Sequence, residues 1–250
     1  MLLDGKNAVI YGGGGSIGRA IARAFAREGA TVHLVGRSAR PVAEAAADIR
    51  ESGRVVETAQ LDACEESAVD DHADSVVAAS GSLDVSVNVI SLDETFGTPL
   101  AEAPLDEFER PILNAVRSTF VTARAAACHM VKQGSGVMLM FGGYGDPPPD
   151  FYLGGFQVAL TAVDALRRQL AAELGRHGVR VLTPQSNGVP ETIQDSAARE
   201  AMTESVVTGT LLRRAASLDD VGNAAVFAAS DHARAMTATT LNLTCGAEVD

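Results

Sequence analysis

Short runs of β-branched residues alternate with longer alanine-rich stretches along the whole chain, and few architectures accept that pattern. A period-two run followed by a stretch of helical period, many times repeated, builds βαβ units and hence a parallel sheet with helices on both faces. Strands are expected over Asn7–Tyr11, Thr31–Val35, Val55–Leu61, Leu83–Val89, Gly136–Phe141, Val179–Thr183 and Thr240–Leu243. Helices are expected over Ser16–Glu28, Arg40–Ser52, Glu65–Ala79, Leu105–Lys132, Ala197–Leu212 and Asp219–Ala229, with an amphipathic one inside Phe151–His177. Pro111 permits a kink or a local break in the longest of them. No polar linker divides the 250 residues, 46% of which are hydrophobic, so one α/β domain over 1–250 is expected.

Charge and cysteines narrow the function classes. A formal net charge of −12 repels phosphate backbones, so nucleic acid is not an expected partner. No apolar run has the roughly 18 to 20 residues of a membrane span, and the amino terminus enters a strand without a basic leader, so a cytoplasmic location is expected. Cys64, Cys128 and Cys245 are far apart and form no CxxC pair. Neither a disulfide scaffold nor a zinc site is expected, and Cys128 reads as a small buried hydrophobe. The histidines form no HxH or HExxH arrangement, and there is no GxSxG elbow.

The turn after the first strand runs Tyr11-Gly12-Gly13-Gly14-Gly15-Ser16-Ile17-Gly18 and opens a helix. Glycines there let the backbone approach a pyrophosphate, whose charge then faces the helix N-terminus. In this strand–turn–helix context the turn points to a Rossmann-type dinucleotide site, with Gly12, Gly15, Ser16, Ile17 and Gly18 against the phosphates. The second strand ends in Gly36-Arg37-Ser38, with no carboxylate to take the ribose hydroxyls. The rigid donor fork of Arg37, with the Ser38 hydroxyl beside it, suits a 2′-phosphate, so NADP is the expected cofactor. Arg19 is a further candidate for positive charge in that pocket. Asp62 follows the third strand and Asn88 ends the fourth. Each reads either as a crevice residue or as a local turn cap.

These residues resemble the short-chain dehydrogenase/reductase superfamily, and the likeness covers nearly the whole chain. The resemblance implies a seven-stranded parallel sheet flanked by helices, and a homodimer or homotetramer. Gly12 and Gly18 match its Thr-Gly-x-x-x-Gly-x-Gly opening, while Tyr11 and Ser16 depart from it. Asp62 matches the adenine-binding aspartate, Asn88 the first residue of the Asn-Asn-Ala-Gly motif, and Asn114 the helix asparagine of the proton relay. Ser186-Asn187 stand where the family has Pro-Gly. Val189 and Thr192 resemble its nicotinamide-contacting segment.

The resemblance breaks at the chemistry. Aligned on Glu173-Leu174, Phe156 falls at the catalytic tyrosine, Leu160 at the lysine and Gly143 at the serine. None of these can donate a proton or polarise a carbonyl through its side chain. Tyr152, one helical turn before Phe156, is the candidate replacement donor. Tyr144 and Gln157 lie close by in sequence, and Lys132 and His129 are the nearest basic residues. Asp146 and Asp150 flank three prolines and read as a solvated turn.

Three functions compete on this reading. One is an NADP(H)-dependent oxidoreductase of a small, fairly apolar carbonyl, alcohol or alkene, with a non-standard proton path. Another is an NADP(H)-binding sensor or scaffold without turnover. The third is a lyase or isomerase that reuses the crevice. The Gly142–Asp150 loop and the Ala197–Leu212 segment are expected to border the substrate pocket. Apolar residues on more than one face of the two longest helices imply self-association.

Overall fold

The computed structural model describes residues 1–143 and 151–249. Seven strands form one parallel sheet: β1 (Asn7–Tyr11), β2 (Thr31–Gly36), β3 (Val56–Gln60), β4 (Val85–Asn88), β5 (Gly136–Met140), β6 (Val179–Gln185) and β7 (Thr239–Asn242). Their spatial order is β3-β2-β1-β4-β5-β6-β7. The chain first works outward from β1 to β3, then returns to the other side of β1 and works outward again. The order therefore reverses between β1 and β4, and the crevice beyond the carboxyl ends of these strands is where open α/β sheets bind ligands.

Helices α1 (Ser16–Arg27), α2 (Ala39–Glu51), α3 (Glu66–Ser80), α4 (Leu105–Gln133), α5 (Phe156–Leu174), α6 (Ser196–Thr208) and α7 (Leu218–Ala229) follow the strands in turn. Successive side chains of a strand point to opposite faces. In β1, Ala8 and Ile10 join one core with Phe25 of α1, Ile49 of α2 and Val221 of α7, while Val9 and Tyr11 join the other with Val69 of α3, Ala126 of α4 and Val163 of α5. The fully buried strand NAVIY thus has no polar face, as expected of a sheet covered on both sides.

Every expected strand and helix is present, with most ends displaced by a residue or two. The exceptions have local causes, among them α6, whose expected end is Leu212 and which stops at Thr208 with Gly209 as its C-cap. β6 continues to Gln185 because β7 pairs with it through Gln185↔Asn242. The amphipathic segment Phe151–His177 contracts to Phe156–Leu174, since Tyr152 and Gly154 take left-handed φ values of 47° and 56° that no α-helix contains. α4 runs through the buried Pro111 as one helix. Cys128 is exposed rather than buried: it lies away from the inward-facing Ala125, Ala126 and Met130 of the same helix. No helix among the described residues is long and apolar enough to cross a membrane.

Candidate dinucleotide site and active crevice

The glycine turn is shaped by close approach. Gly12 has φ +86°, and a Cβ there would lie 2.5 Å from the Val89 carbonyl oxygen; a Cβ on Gly18 would lie 2.3 Å from the Gly12 carbonyl oxygen. Both the Gly12 and Gly13 N–H groups donate to the Val35 carbonyl at 3.0 Å, which pins the turn to β2. Gly15 is the N-cap of α1, and it supplies no side-chain acceptor; the first turn carries no acidic residue. The leading N–H groups of a helix have no partner inside it. Those of α1 begin at Ser16, Ile17 and Gly18, directly after the glycine turn, a setting that fits an anionic pyrophosphate.

Arg37 extends from the end of β2 with 57% of its side chain exposed, and Ser38 follows as the N-cap of α2 without a side-chain capping bond. Arg19 is committed elsewhere: its Nε donates to the Gly14 carbonyl at 3.0 Å, and an Nη donates to the Pro41 carbonyl and to Glu44. It braces the glycine turn against α2.

The other candidate residues are held by local bonds, and that of Asp62 is the contact of a turn cap. Asp62 Oδ1 accepts from the Cys64 N–H at 2.9 Å. Asn88 Nδ2 donates to Thr122 Oγ1 on α4 at 3.2 Å, and its Oδ1 accepts from the Ile90 N–H. Thr192 Oγ1 donates to the Val189 carbonyl at 2.8 Å, while the Val189 side chain is buried in the core on the α1 and α7 side. Asn114 Nδ2 reaches Asp93 Oδ2 at 3.2 Å and the Leu92 carbonyl at 3.4 Å. Asp93 also pairs with Arg37 at 3.6 Å. Sequence reasoning passed over Asp93, because it stands in a segment with no periodicity and no motif around it.

At the reacting end, Leu160 sits beside Gly142, and Phe156 packs against Phe96. The Gly142 N–H donates to the Pro184 carbonyl and the Ser186 N–H to the Gly142 carbonyl, which draws the end of β5 onto β6. As a result a Cβ on Gly143 would lie 2.6 Å from the Ser186 carbonyl oxygen. The space a serine side chain would leave from is occupied by backbone. Tyr152 is 44% exposed and precedes α5 without belonging to it; its carbonyl accepts from the Gly97 N–H at 3.2 Å. That bond and the Phe96–Phe156 ring pair join the loop after β4 to the segment that enters α5. Tyr144, Asp146 and Asp150 lie outside the described residues, as does most of the Gly142–Asp150 loop.

A parallel sheet with this strand order and a glycine turn opening α1 at the reversal point defines the class of nucleotide-binding Rossmann proteins. The sequence matches the family described as Enoyl-(Acyl carrier protein) reductase over residues 13–248, and the chain belongs to the short-chain dehydrogenase/reductase superfamily of oxidoreductases. It is 32% identical over 239 residues to a 7alpha-hydroxysteroid dehydrogenase of Clostridium sardiniense, covering 92% of this chain and 88% of that one. A short-chain type dehydrogenase/reductase from Mycobacterium ulcerans superposes with a TM-score of 0.91 at 25% identity, over 99% of this chain and 91% of that one. A gluconate 5-dehydrogenase from Burkholderia cenocepacia, solved in complex with NADP and tartrate, superposes with a TM-score of 0.84 at 25% identity, over 98% and 96%.

Proposed function

We propose that this chain is an NADP(H)-dependent oxidoreductase of a small, fairly apolar carbonyl, alcohol or alkene, working with a proton route different from that of its superfamily. The observation that carries the cofactor reading is the end of β2: Gly36 is followed by the exposed guanidinium of Arg37, and the residues of that strand end include no carboxylate to take ribose hydroxyls. A bound NADP(H) supplies or accepts the hydride. The α1 N-terminus and the glycine turn bind the pyrophosphate, Arg37 and Ser38 hold the 2′-phosphate, and Asn88 and Asn114 position the loops that close the crevice.

The Phe96–Phe156 pair supports the apolar substrate. The chain has no Trp, three Tyr and eight Phe, and two of the Phe pair here, with the Tyr152 backbone tied to the same loop. The hydroxysteroid dehydrogenase relative is named for a substrate of that character. Phe156 and Leu160 exclude water from the reacting end but hold no proton, and Tyr152 is the phenol nearest to them along the chain.

The competing reading is a nucleotide-binding protein without turnover, and the occupied Cβ position of Gly143 favours it, because the serine cannot be regained without moving β6. Titration of the purified protein with NADPH and NADH tests the cofactor reading. NADPH should bind at least several-fold tighter, and Arg37→Ala should narrow the gap. Equal affinities in the unaltered protein would remove the assignment. Product mass after incubation with NADPH and candidate substrates separates enzyme from binder.

A further inference from the structure

The geometry points to Asp93 as a residue that sets cofactor selectivity by holding the guanidinium a 2′-phosphate would use. The inference rests on the reading of Arg37 given above.

Arg37 follows β2, and Asp93 lies in the loop after β4. These two strands flank β1, so their ion pair arches over the end of β1, where the glycine turn begins. The two carboxylate oxygens have separate partners: Oδ1 faces Arg37 Nη2 at 3.6 Å, and Oδ2 accepts from Asn114 Nδ2 at 3.2 Å. Asn114 belongs to α4, so the carboxylate is aimed by a helix rather than left to a loop. The backbone is equally specific, with φ +56° at Asp93, in the left-handed region that Asp and Asn tolerate better than other non-glycine residues.

A carboxylate and a phosphate compete for the same planar donor fork. The pair also closes the slot. A ring held between two groups needs about two van der Waals separations, ~7 Å, and the charged tips stand 3.6 Å apart. An entering adenosine must therefore part them. If its ribose carries a 2′-phosphate, Arg37 exchanges one anion for another while Asp93 remains nearby as a like charge. NADH meets the closed slot but makes no use of the freed guanidinium. Asp93 thus opposes the 2′-phosphate in particular and moderates the preference that Arg37 creates. Its side chain is 38% exposed and that of Arg37 57%, so the pair is weak and readily displaced.

The test measures dissociation constants of NADPH and NADH for the unaltered protein, Asp93→Asn, Asp93→Ala, Arg37→Ala and the double variant Arg37→Ala/Asp93→Asn. Asparagine keeps the shape and the left-handed tolerance while removing the charge. Both Asp93 variants should tighten NADPH about two- to five-fold and change NADH less, so the preference for NADPH rises. In the Arg37→Ala background the second substitution should raise the preference less than it does in the unaltered protein, because only the like-charge repulsion remains to be relieved. An unchanged or smaller preference in the Asp93 variants overturns the inference, as does weakened NADH binding, which would make Asp93 a ribose ligand. If Arg37→Ala lowers the preference but the Asp93 variants do not raise it, only this inference falls. If Arg37→Ala leaves the preference unaltered, the cofactor reading falls with it.

Discussion

Phe156 meets Phe96 edge to face, with ring centroids 5.5 Å apart and planes at 85°. Phe156 is the residue that the alignment on Glu173-Leu174 sets at the superfamily's tyrosine, and a phenyl ring has no proton to give. Such pairs contribute about 0.5–1.5 kcal/mol beyond their area burial. The pair ties the loop after β4 to the start of α5, and on the proposed alignment a substrate oxygen there would find no donor in residue 156.

The first expectation is therefore weak or absent reduction of simple carbonyls. General acid–base help is typically worth about 10²–10⁴ in rate, and a lost oxyanion donor costs about 10²–10³. NADPH oxidation, followed with product mass across ketones, aldehydes and activated alkenes, should be slow throughout. Rapid turnover of ordinary ketones would refute this. Where a slow activity is found, Tyr152→Phe should abolish it; survival of the activity would show that the proton comes from elsewhere.

Restoring the lost serine alone should harm the protein without activating it. The Cβ of Gly143→Ser would stand 2.6 Å from the Ser186 carbonyl, so β5 and β6 must separate at their ends. Overpacking of this kind costs about 1–3 kcal/mol. In a chain of this length that lowers Tm by a few degrees to about 10 °C in a calorimetric scan. A variant as stable as the parent would mean that the Gly143–Ser186 contact opens freely.

Acid should destabilise the fold through a buried histidine pair. His72 of α3 packs its ring 6.4 Å from that of Tyr11, and burial, reinforced by the neighbouring His33, lowers its pKa from 6.5 to about 4. Burial also lowers the pKa of His33, against the smaller opposing pull of Glu57. The fold favours both neutral imidazoles, whereas the unfolded chain protonates near pH 6.5. Their contribution is thus complete above pH 6.5 and is lost as the pH falls below it, for His72 toward about 4. Urea unfolding between pH 7 and 5 should show that slope, and His72→Leu should reduce it. An equal slope in both proteins would shift the cause to the carboxylates.

Self-association should bury the outer face of α4. Leu113, Val116 and Phe120 recur there at helical spacing and are 63%, 38% and 49% exposed, and Val158 of α5 is 47% exposed. Apolar side chains grouped in this way mark an interface. Light scattering at micromolar concentration should give a multiple of 25.9 kDa, and Phe120→Glu should reduce it. A monomer mass for the unaltered chain would end this expectation.

The sequence by itself determined the layered α/β architecture, the glycine turn and the cation after β2. Hydrophobic period and backbone sterics act over a few residues, so their signal is written locally. That Gly143, Phe156 and Leu160 carry neither an acid nor a base was legible for the same reason, since a side chain's chemistry is known once its identity is. What such residues meet could be decided only by tertiary structure. Phe96 pairs with Phe156, Asp93 with Arg37, and Gly143 with the Ser186 backbone, each across more than 40 residues of chain. These contacts exist because the strand order brings distant loops to one edge of the sheet. No local period encodes the conformation of such loops, and a left-handed φ at Asp93 or Tyr152 leaves no mark in composition. The same limit applies within a helix: Cys128 lies among apolar neighbours in sequence, but the direction in which α4 rests on the sheet turned it outward.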